Sequence, residues 1–414
     1  MSNDAPALSP EEADAFRERC RAFLAEHATG LKIEGDDPRS DQSVAQAKAF
    51  QAKVAEAGLA GLTYATEFGG QGLTSAHDRI WREEYARVPD MTGQLTISHG
   101  MCVPVLNEFG TDEQRKQFMP DAIAARTLWC QMFSEPGAGS DVASLQTRAV
   151  LDGDEWTING QKVWTTLAHQ CDYGILIART DPEQPKHRGI SMFIVDMKDP
   201  AVEIRPINQI DGGVHFNEIF FTDLRIPKDW LVGTLNDGWR LATAMLMYER
   251  VAIGTGSTSG IKTPNFKWLA EEARRRGVIG DPQTRQMLAK LYSEEAAKSL
   301  VAMRTRAELK AGKAPGPGGS LGKLHGAIIA RMTRSMIGEI AGPDSLAWDA
   351  SSGDGPAEKY MKAIIGSFSA NIAGGTDEIQ KNIIGDRVLG LPREPSVDKD
   401  VAFKNLKVGT QRSE

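Results

Sequence analysis

The feature that most constrains this chain is a change of period. Up to about residue 126, and again from about residue 235, apolar residues recur at helical spacing; between about 127 and 233 they alternate as strand residues do. The expected order is a helical domain over 1–126, a β domain over 127–234 and a second helical domain over 235–414.

Local signals support that division. Ser9 and Glu12 make a capping box with Pro10 at the first helical position, followed by Phe16, Cys20, Phe23 and Leu24 on one face. A second helical pattern, QSVAQAKAFQAKVAEAG, stops at Gly58, where a glycine-rich loop begins. In the middle region Asp152-Gly153 and Asn159-Gly160 both read as hairpin turns. The segments YGILIART, GISMFIVDM, VEIRPI and FNEIFFTDLRI follow as strands. In the last third, AGKAPGPGGS at 311–320 is a loop that no helix crosses.

With 414 residues the chain has room for two or three domain-sized units and a large core. Its 48 basic and 55 acidic residues leave a net charge of −7. The basic residues are dispersed except for Arg274, Arg275 and Arg276, which stand beside Glu271 and Glu272 and read as a solvated helix end. A nucleic-acid surface is therefore not expected. Cys20, Cys102, Cys130 and Cys171 form no CxxC pair, which points away from disulfides and zinc. The stretch MSNDAPALSPEEADAF has neither the basic region nor the apolar run of a signal peptide, and no run of about 18 apolar residues follows. The expectation is a soluble cytoplasmic protein without a membrane span.

Three places carry chemistry. The stretch WCQMFSEPGAGSD, 129–141, leads a strand into a Gly-Ala-Gly turn with Ser134 and Ser140 beside it. Such a turn lets backbone amides approach a flat or anionic ligand, or it is an ordinary structural turn; it matches neither the dinucleotide fingerprint nor the phosphate loop. In KVWTT, Trp164 and Thr166 alternate onto one strand face, which suits a stacked aromatic ligand or a plain aromatic core position. Glu249 has Met245, Leu246, Ala252 and Ile253 as its helical neighbours, so its carboxylate stands on an apolar stripe without an intrahelical cation. That is the environment of a raised-pKa general base, or of a Glu paired with an Arg from another helix. His215 and Glu218 fall on opposite faces of a strand, so no metal site is expected. No Ser/His/Asp or Cys/His constellation can be assembled.

Taken in order, TEFGGQGL (66–73), FGTDEQRKQFMP (109–120), QMFSEPGAGSDVASL (131–145), NGQKVWTT (159–166), FNEIFF (216–221), YER (248–250) and IAGGTDEIQKNIIGDRVLGLPRE (372–394) resemble the acyl-CoA dehydrogenase family over nearly the whole chain. The resemblance implies an α+β multidomain fold: an N-terminal α-helical domain, a middle β-barrel or sandwich domain and a C-terminal four-helix bundle. It implies FAD, with Gln131, Phe133, Ser134, Gly139 and Ser140 lining the flavin or the nearby pantetheine, Trp164 and Thr166 flanking the ring, and Thr376 and Glu378 reaching it from the bundle. Ser140, Arg250 and Gly375 would meet the acyl-CoA thioester substrate. The implied reaction takes a proton from the α carbon and a hydride from the β carbon to flavin N5, and an electron-transfer flavoprotein then takes the electrons.

Many members of the family carry the base just before the Gly-Thr of the C-terminal motif, where this chain has Gly374. Isovaleryl-type and long-chain-type members place a Glu before an Arg on the bundle helix instead, and Glu249-Arg250 matches them. Gly374 would keep the backbone N–H that meets the thioester carbonyl. The family's Arg-x-x-Phe-Gly and Gln-x-x-Gly-Gly segments are absent, with ARRRGVIGDPQTRQ and EIAGPDS in their places. Both belong to the intersubunit part of the cofactor site, so the resemblance implies a homo- or hetero-oligomer, dimer or tetramer. The pattern is most similar to bacterial branches acting on long, branched or steroid-linked thioesters. Two other readings stand beside dehydrogenation: a flavin monooxygenase or oxidase of the same fold, and a partner subunit that completes another chain's site.

Overall fold

The computed structural model describes residues 8–28, 40–254, 264–310, 318–347, 356–393, 395 and 398–406, without the side chains of 249–254, 306, 309–310 and 356–357. The chain divides into two compact units: Met1–Asn208 with Val214–Ala252 and Ser396–Glu414, and Gln209–Gly213 with Ile253–Pro395.

The first unit opens with helices α1 (Pro10–His27), α2 (Asp41–Glu56), α3 (Ser75–Tyr85), α4 (Val103–Phe109) and α5 (Asp112–Ile123). The capping box forms as its spacing requires: Glu12 N–H donates to Ser9 Oγ at 3.2 Å, and Ser9 N–H donates to the Glu12 carboxylate at 2.9 Å. Phe16, Cys20, Phe23 and Leu24 are all buried. Beyond α2, Gly58 turns the chain at φ 65°. The buried Glu84 of α3 accepts Arg17 at 2.6 Å and Arg21 at 3.0 Å, fastening α1 to α3.

Strands β1 (Trp129–Met132), β2 (Arg148–Asp152), β3 (Glu155–Thr166), β4 (Tyr173–Arg179), β5 (Ile190–Asp196), β6 (Val202–Ile207), β7 (Phe216–Pro227) and β8 (Leu231–Val232) follow. They form one sheet in the order β6-β7-β3-β2-β4-β5-β8, with β1 parallel to β4. The rings of Trp156 on β3 and Phe193 on β5 lie 5.2 Å apart although β2 and β4 separate their strands. Three strand spacings in a flat sheet would be roughly 14 Å, so the sheet curls on itself and encloses Trp156, Ile158, Leu176, Phe193, Ile219 and Phe221. Its other side shares a core with the helices: Ile175, Ile177, Met192 and Ile194 pack with Leu106, Phe118 and, from α6 (Gly238–Gly254), Leu241, Ala242 and Met245.

Two turn expectations change. The first hairpin loop is Gly153-Asp154, closed by the Asp152 and Glu155 pair, one residue later than expected. Asn159-Gly160 is no hairpin turn; it lies inside β3, where the ladder with β7 slips between Ile158 and Gly160. Gly160 has φ 154°, and a Cβ there would stand 2.6 Å from Thr147 Cα. Asn159 meanwhile exchanges hydrogen bonds with Asp223, at 2.9 Å each way. The pair therefore builds a bulge against a neighbouring strand.

The second unit contains α7 (Phe266–Arg275), α8 (Pro282–Lys310), α9 (Gly318–Ala341), α10 (Pro356–Ser369) and α11 (Asp377–Arg387). Helices α8, α10 and α11 all pack on α9, and α7 to α10 share a core of Leu269, Leu288, Leu291, Ile329, Met336, Ile337, Ile340 and Tyr360. Of the expected Pro/Gly loop, Gly318, Gly319 and Ser320 already belong to α9, and 311–317 lie outside the described residues. The arginine triplet is more than a solvated helix end. Arg276 turns inward to Glu272 at 2.5 Å, the Ala341 carbonyl at 2.9 Å and Asp344 at 2.9 Å.

All four cysteines are buried free thiols. Among the described residues no helix is long and apolar enough to cross a membrane, and no group of three or more His, Cys, Asp or Glu gathers as a metal site.

Candidate active site

The first unit brings one group of expected site residues together. Gln131 lies in β1, Phe133 and Ser134 at its end, Gly139 and Ser140 in the turn beyond, and Trp164 and Thr166 at the end of β3. The Ser134 carbonyl accepts the Val163 N–H at 2.9 Å, which joins the turn to β3. Glu135 and Ala138 exchange backbone hydrogen bonds at 3.1 and 3.0 Å, leaving Pro136-Gly137 as a two-residue tip. A Cβ at Gly137 or Gly139 would meet nothing within 4 Å, so the turn faces open space there.

A buried ion pair that sequence reading missed holds this arrangement. Lys162, fully buried on β3, donates to Glu135 at 2.8 Å and to the Phe133 carbonyl at 3.0 Å. Glu135 also accepts the N–H groups of Gln146 at 2.6 Å and Thr147 at 2.9 Å. Burial alone would raise the Glu135 carboxyl, but the Lys162 charge and these donors hold it below the ordinary carboxylate value. The available signal was a lysine in a strand, NGQKVW, which reads equally well as a surface residue.

Beside the pair, β3 bulges. Its ladder with β7 slips between Lys162 and Thr165, and Trp164 takes φ 61°, a costly conformation for an aromatic residue. The result is an indole 59% exposed at the open side, its ring 6.0 Å from Phe216 and edge-on to it. Thr165 is buried and Thr166 half-buried. Two buried polar atoms nearby, Gln131 Nε2 and Thr165 Oγ1, lack a hydrogen-bond partner among the described residues. An exposed aromatic face, an unpaired amide donor and an open glycine turn suit a flat aromatic ligand with acceptors on its rim.

Glu249 and Arg250 stand on α6 in the same unit, with side chains outside the described residues. Position 249 shares its helical stripe with the buried Ala242 and Met245. One residue earlier, the Tyr248 hydroxyl donates to Glu108 of α4, which sets the rotation of this helix.

Gly374, Gly375, Thr376 and Glu378 gather in the second unit at the start of α11. Gly374 and Gly375 have φ 68° and 90°, and Thr376 caps the helix, its Oγ1 accepting the Ile379 N–H at 3.3 Å. Gln380, fully buried, donates to the Gly374 carbonyl at 2.9 Å. Asp377 is braced by Arg331 at 2.5 Å and Asn371 at 2.9 Å. Sequence reading passed over Gln380, Asp377 and Arg331; their role depends on contacts between separate helices.

Comparison with known proteins agrees with this layout. The family models for the acyl-CoA dehydrogenase N-terminal, middle and C-terminal domains match residues 10–126, 130–224 and 236–389. The chain is 37% identical to acyl-CoA dehydrogenase IpdE1 of Mycobacterium tuberculosis over 390 residues, 93% of this chain and 99% of that protein. Among solved structures it resembles the Tcur3481-Tcur3483 steroid ACAD, with TM-score 0.74 and 27% identity over 94% of this chain and all 100% of that one. It also resembles the ChsE4-ChsE5 complex from Mycobacterium tuberculosis, with TM-score 0.72 and 27% identity over 94% and 100% of the two chains. With three domain matches in sequence, a full-length relative and the helix, sheet and helix order in place, this chain belongs to the acyl-CoA dehydrogenase family of flavoprotein oxidoreductases.

Proposed function

We propose that this chain desaturates an acyl-CoA thioester between its α and β carbons, giving the trans-2-enoyl-CoA, with FAD as oxidant and Glu249 as base. The observation that carries the cofactor assignment is the exposed Trp164 indole, raised on a strained bulge beside the open Gly137–Gly139 turn and the unpaired Gln131 amide. A flavin ring is flat and aromatic with acceptors on its rim, so these residues fit it. Gln131, Phe133, Ser134, Gly139, Ser140, Trp164 and Thr166 would hold it, and the family resemblance adds Thr376 and Glu378 as cofactor residues. When bound, FAD supplies the acceptor for the β-hydride.

The chain's own residues handle the proton. An α C–H is a feeble acid, so its removal requires a desolvated base and a stabilised enolate. Glu249 takes the α proton from a helix position in line with buried Ala242 and Met245. Gly374 has no side chain to compete for it. Its backbone N–H donates to the thioester carbonyl, and Gln380 fixes the next peptide by donating to the Gly374 carbonyl. Ser140, Arg250 and Gly375 position the rest of the substrate.

A relative described as a steroid ACAD supports a bulky, steroid-linked acyl group, within the wider class of long or branched thioesters. The electrons leave to an electron-transfer flavoprotein, in a β-oxidation sequence placed in the cytoplasm. The resemblance to a two-name complex supports an oligomer, dimer or tetramer, of one or two kinds of subunit. Anaerobic addition of acyl-CoA thioesters to the yellow protein tests the reading: bleaching of the flavin is expected, most rapid with a bulky thioester. No bleaching with any thioester overturns it.

ARRRGVIGDPQTRQ and EIAGPDS, standing where the family carries Arg-x-x-Phe-Gly and Gln-x-x-Gly-Gly, favour a second reading, in which the chain completes a site shared with a different subunit. That reading expects a colourless protein that takes up FAD only after mixing with a second chain.

A further inference from the structure

Residues Asp398–Leu406 return to the first unit and lie across the loop joining β4 to β5. Phe403 N–H donates to the Gln184 carbonyl at 2.9 Å, and Lys404 N–H to the Pro182 carbonyl at 3.0 Å. The buried Phe403 ring lies 3.7 Å from the Arg179 guanidinium carbon. Arg179, itself buried, donates to the Lys186 carbonyl at 2.7 Å and to the Ala143 carbonyl at 2.6 Å, just beyond the Gly-Ser-Asp turn. Lys186 ties the same two parts together: its ammonium reaches Asp141 at 3.0 Å and Asp398 at 2.6 Å. Asp141 in turn accepts the Ser144 hydroxyl at 2.5 Å.

The turn is thus anchored at both ends by buried cations. Lys162 holds its beginning through Glu135, and Arg179 and Lys186 hold its end. The two anchors differ in one respect: each cation at the far end also has a partner in the 398–406 segment. Without that segment Arg179 would lose the aromatic face over its charge, and Lys186 one of its two carboxylates.

We propose that Asp398–Leu406 is a positioning strap for the Gly139–Asp141 end of the turn, acting through Arg179 and Lys186, so that cofactor binding at the turn and docking of the strap strengthen each other. The inference rests on the reading of that turn as part of the FAD seat. Thermodynamic linkage makes the coupling reciprocal: weakening the strap weakens FAD binding, and FAD protects the strap.

The test uses the full chain freed of FAD and titrated with FAD, as wild type, Asp398→Asn, Asp398→Glu and Phe403→Ala. Hydrogen exchange of the Phe403 and Lys404 amides is followed with and without FAD. The expected result is a Kd raised roughly fivefold or more by Asp398→Asn and Phe403→Ala, restored toward wild type in Asp398→Glu, with FAD slowing exchange at both amides. Unchanged Kd values together with exchange indifferent to FAD overturn the strap. Should Phe403→Ala fail to fold, Asp398→Asn and the wild-type exchange data decide alone. Gly139→Val, which fills the open side of the turn, separates the two claims. If it weakens FAD binding while the strap variants do not, only the strap fails; if it leaves FAD binding intact, the seat itself is misplaced.

Discussion

Lys162 and Glu135 meet at 2.8 Å inside the first unit, and this ion pair ties β3 to the turn that follows β1. Neither residue has significant access to water, so each depends on the other for its charge. Lys162→Met should therefore lower the unfolding free energy by about 3–5 kcal/mol, because it leaves a buried carboxylate unpaired. Adding Glu135→Gln, which removes the unpaired charge but keeps an acceptor for the Gln146 and Thr147 N–H groups, should recover part of that stability without restoring FAD affinity, since the turn stays unbraced. Urea unfolding and FAD titration of both variants check this.

Trp164 is expected to show the opposite balance. Its ring is largely exposed and its φ is 61°, so Trp164→Ala removes little packing. Unfolding free energy should change by no more than about 0.5 kcal/mol. FAD binding should weaken roughly three- to tenfold through loss of the aromatic contact. Equal loss of stability and affinity would argue that the indole serves the fold alone.

Two glycines give a matched contrast. Gly160→Ala forces a side chain against Thr147 at a φ of 154° and should destabilise the protein by about 2–4 kcal/mol. Gly139→Ala points into open space and should leave the thermal midpoint nearly unchanged. Differential scanning calorimetry distinguishes them directly.

The second unit carries its own pH dependence. Burial would raise the Glu272 carboxyl, but hydrogen bonds from Arg275, Tyr360 and Arg276 pull it from 4.5 down to about 2. A folded value below the unfolded one means the stabilisation is complete above 4.5 and is lost as pH falls toward 2. Glu272→Gln should flatten the acid limb of the stability curve across that interval, measured by urea midpoints. At neutral pH it should cost roughly 2 kcal/mol.

Much of this was legible in sequence because it is local. The Ser9–Glu12 cap, the Phe16 to Leu24 stripe and the β4, β5 and β7 segments each depend on residues within a turn or a strand of one another. Asn159-Gly160 misled because the same dipeptide serves a hairpin or a bulge, and the approach of Thr147, just before β2, decided which. Lys162 was silent for a related reason. Its partner lies 27 positions away, and nothing in NGQKVW separates a buried lysine from a solvated one. Arg179, Lys186 and Phe403 show the same limit, since their contacts join segments more than 200 residues apart.

Glu249→Gln tests the central claim most directly. Anaerobic stopped-flow mixing of the FAD-loaded variant with a reactive acyl-CoA should show thioester binding within a few-fold of wild type. The rate of flavin reduction should fall by about 10²–10⁴. Flavin reduction at the wild-type rate in Glu249→Gln would contradict the assignment of this residue as the base.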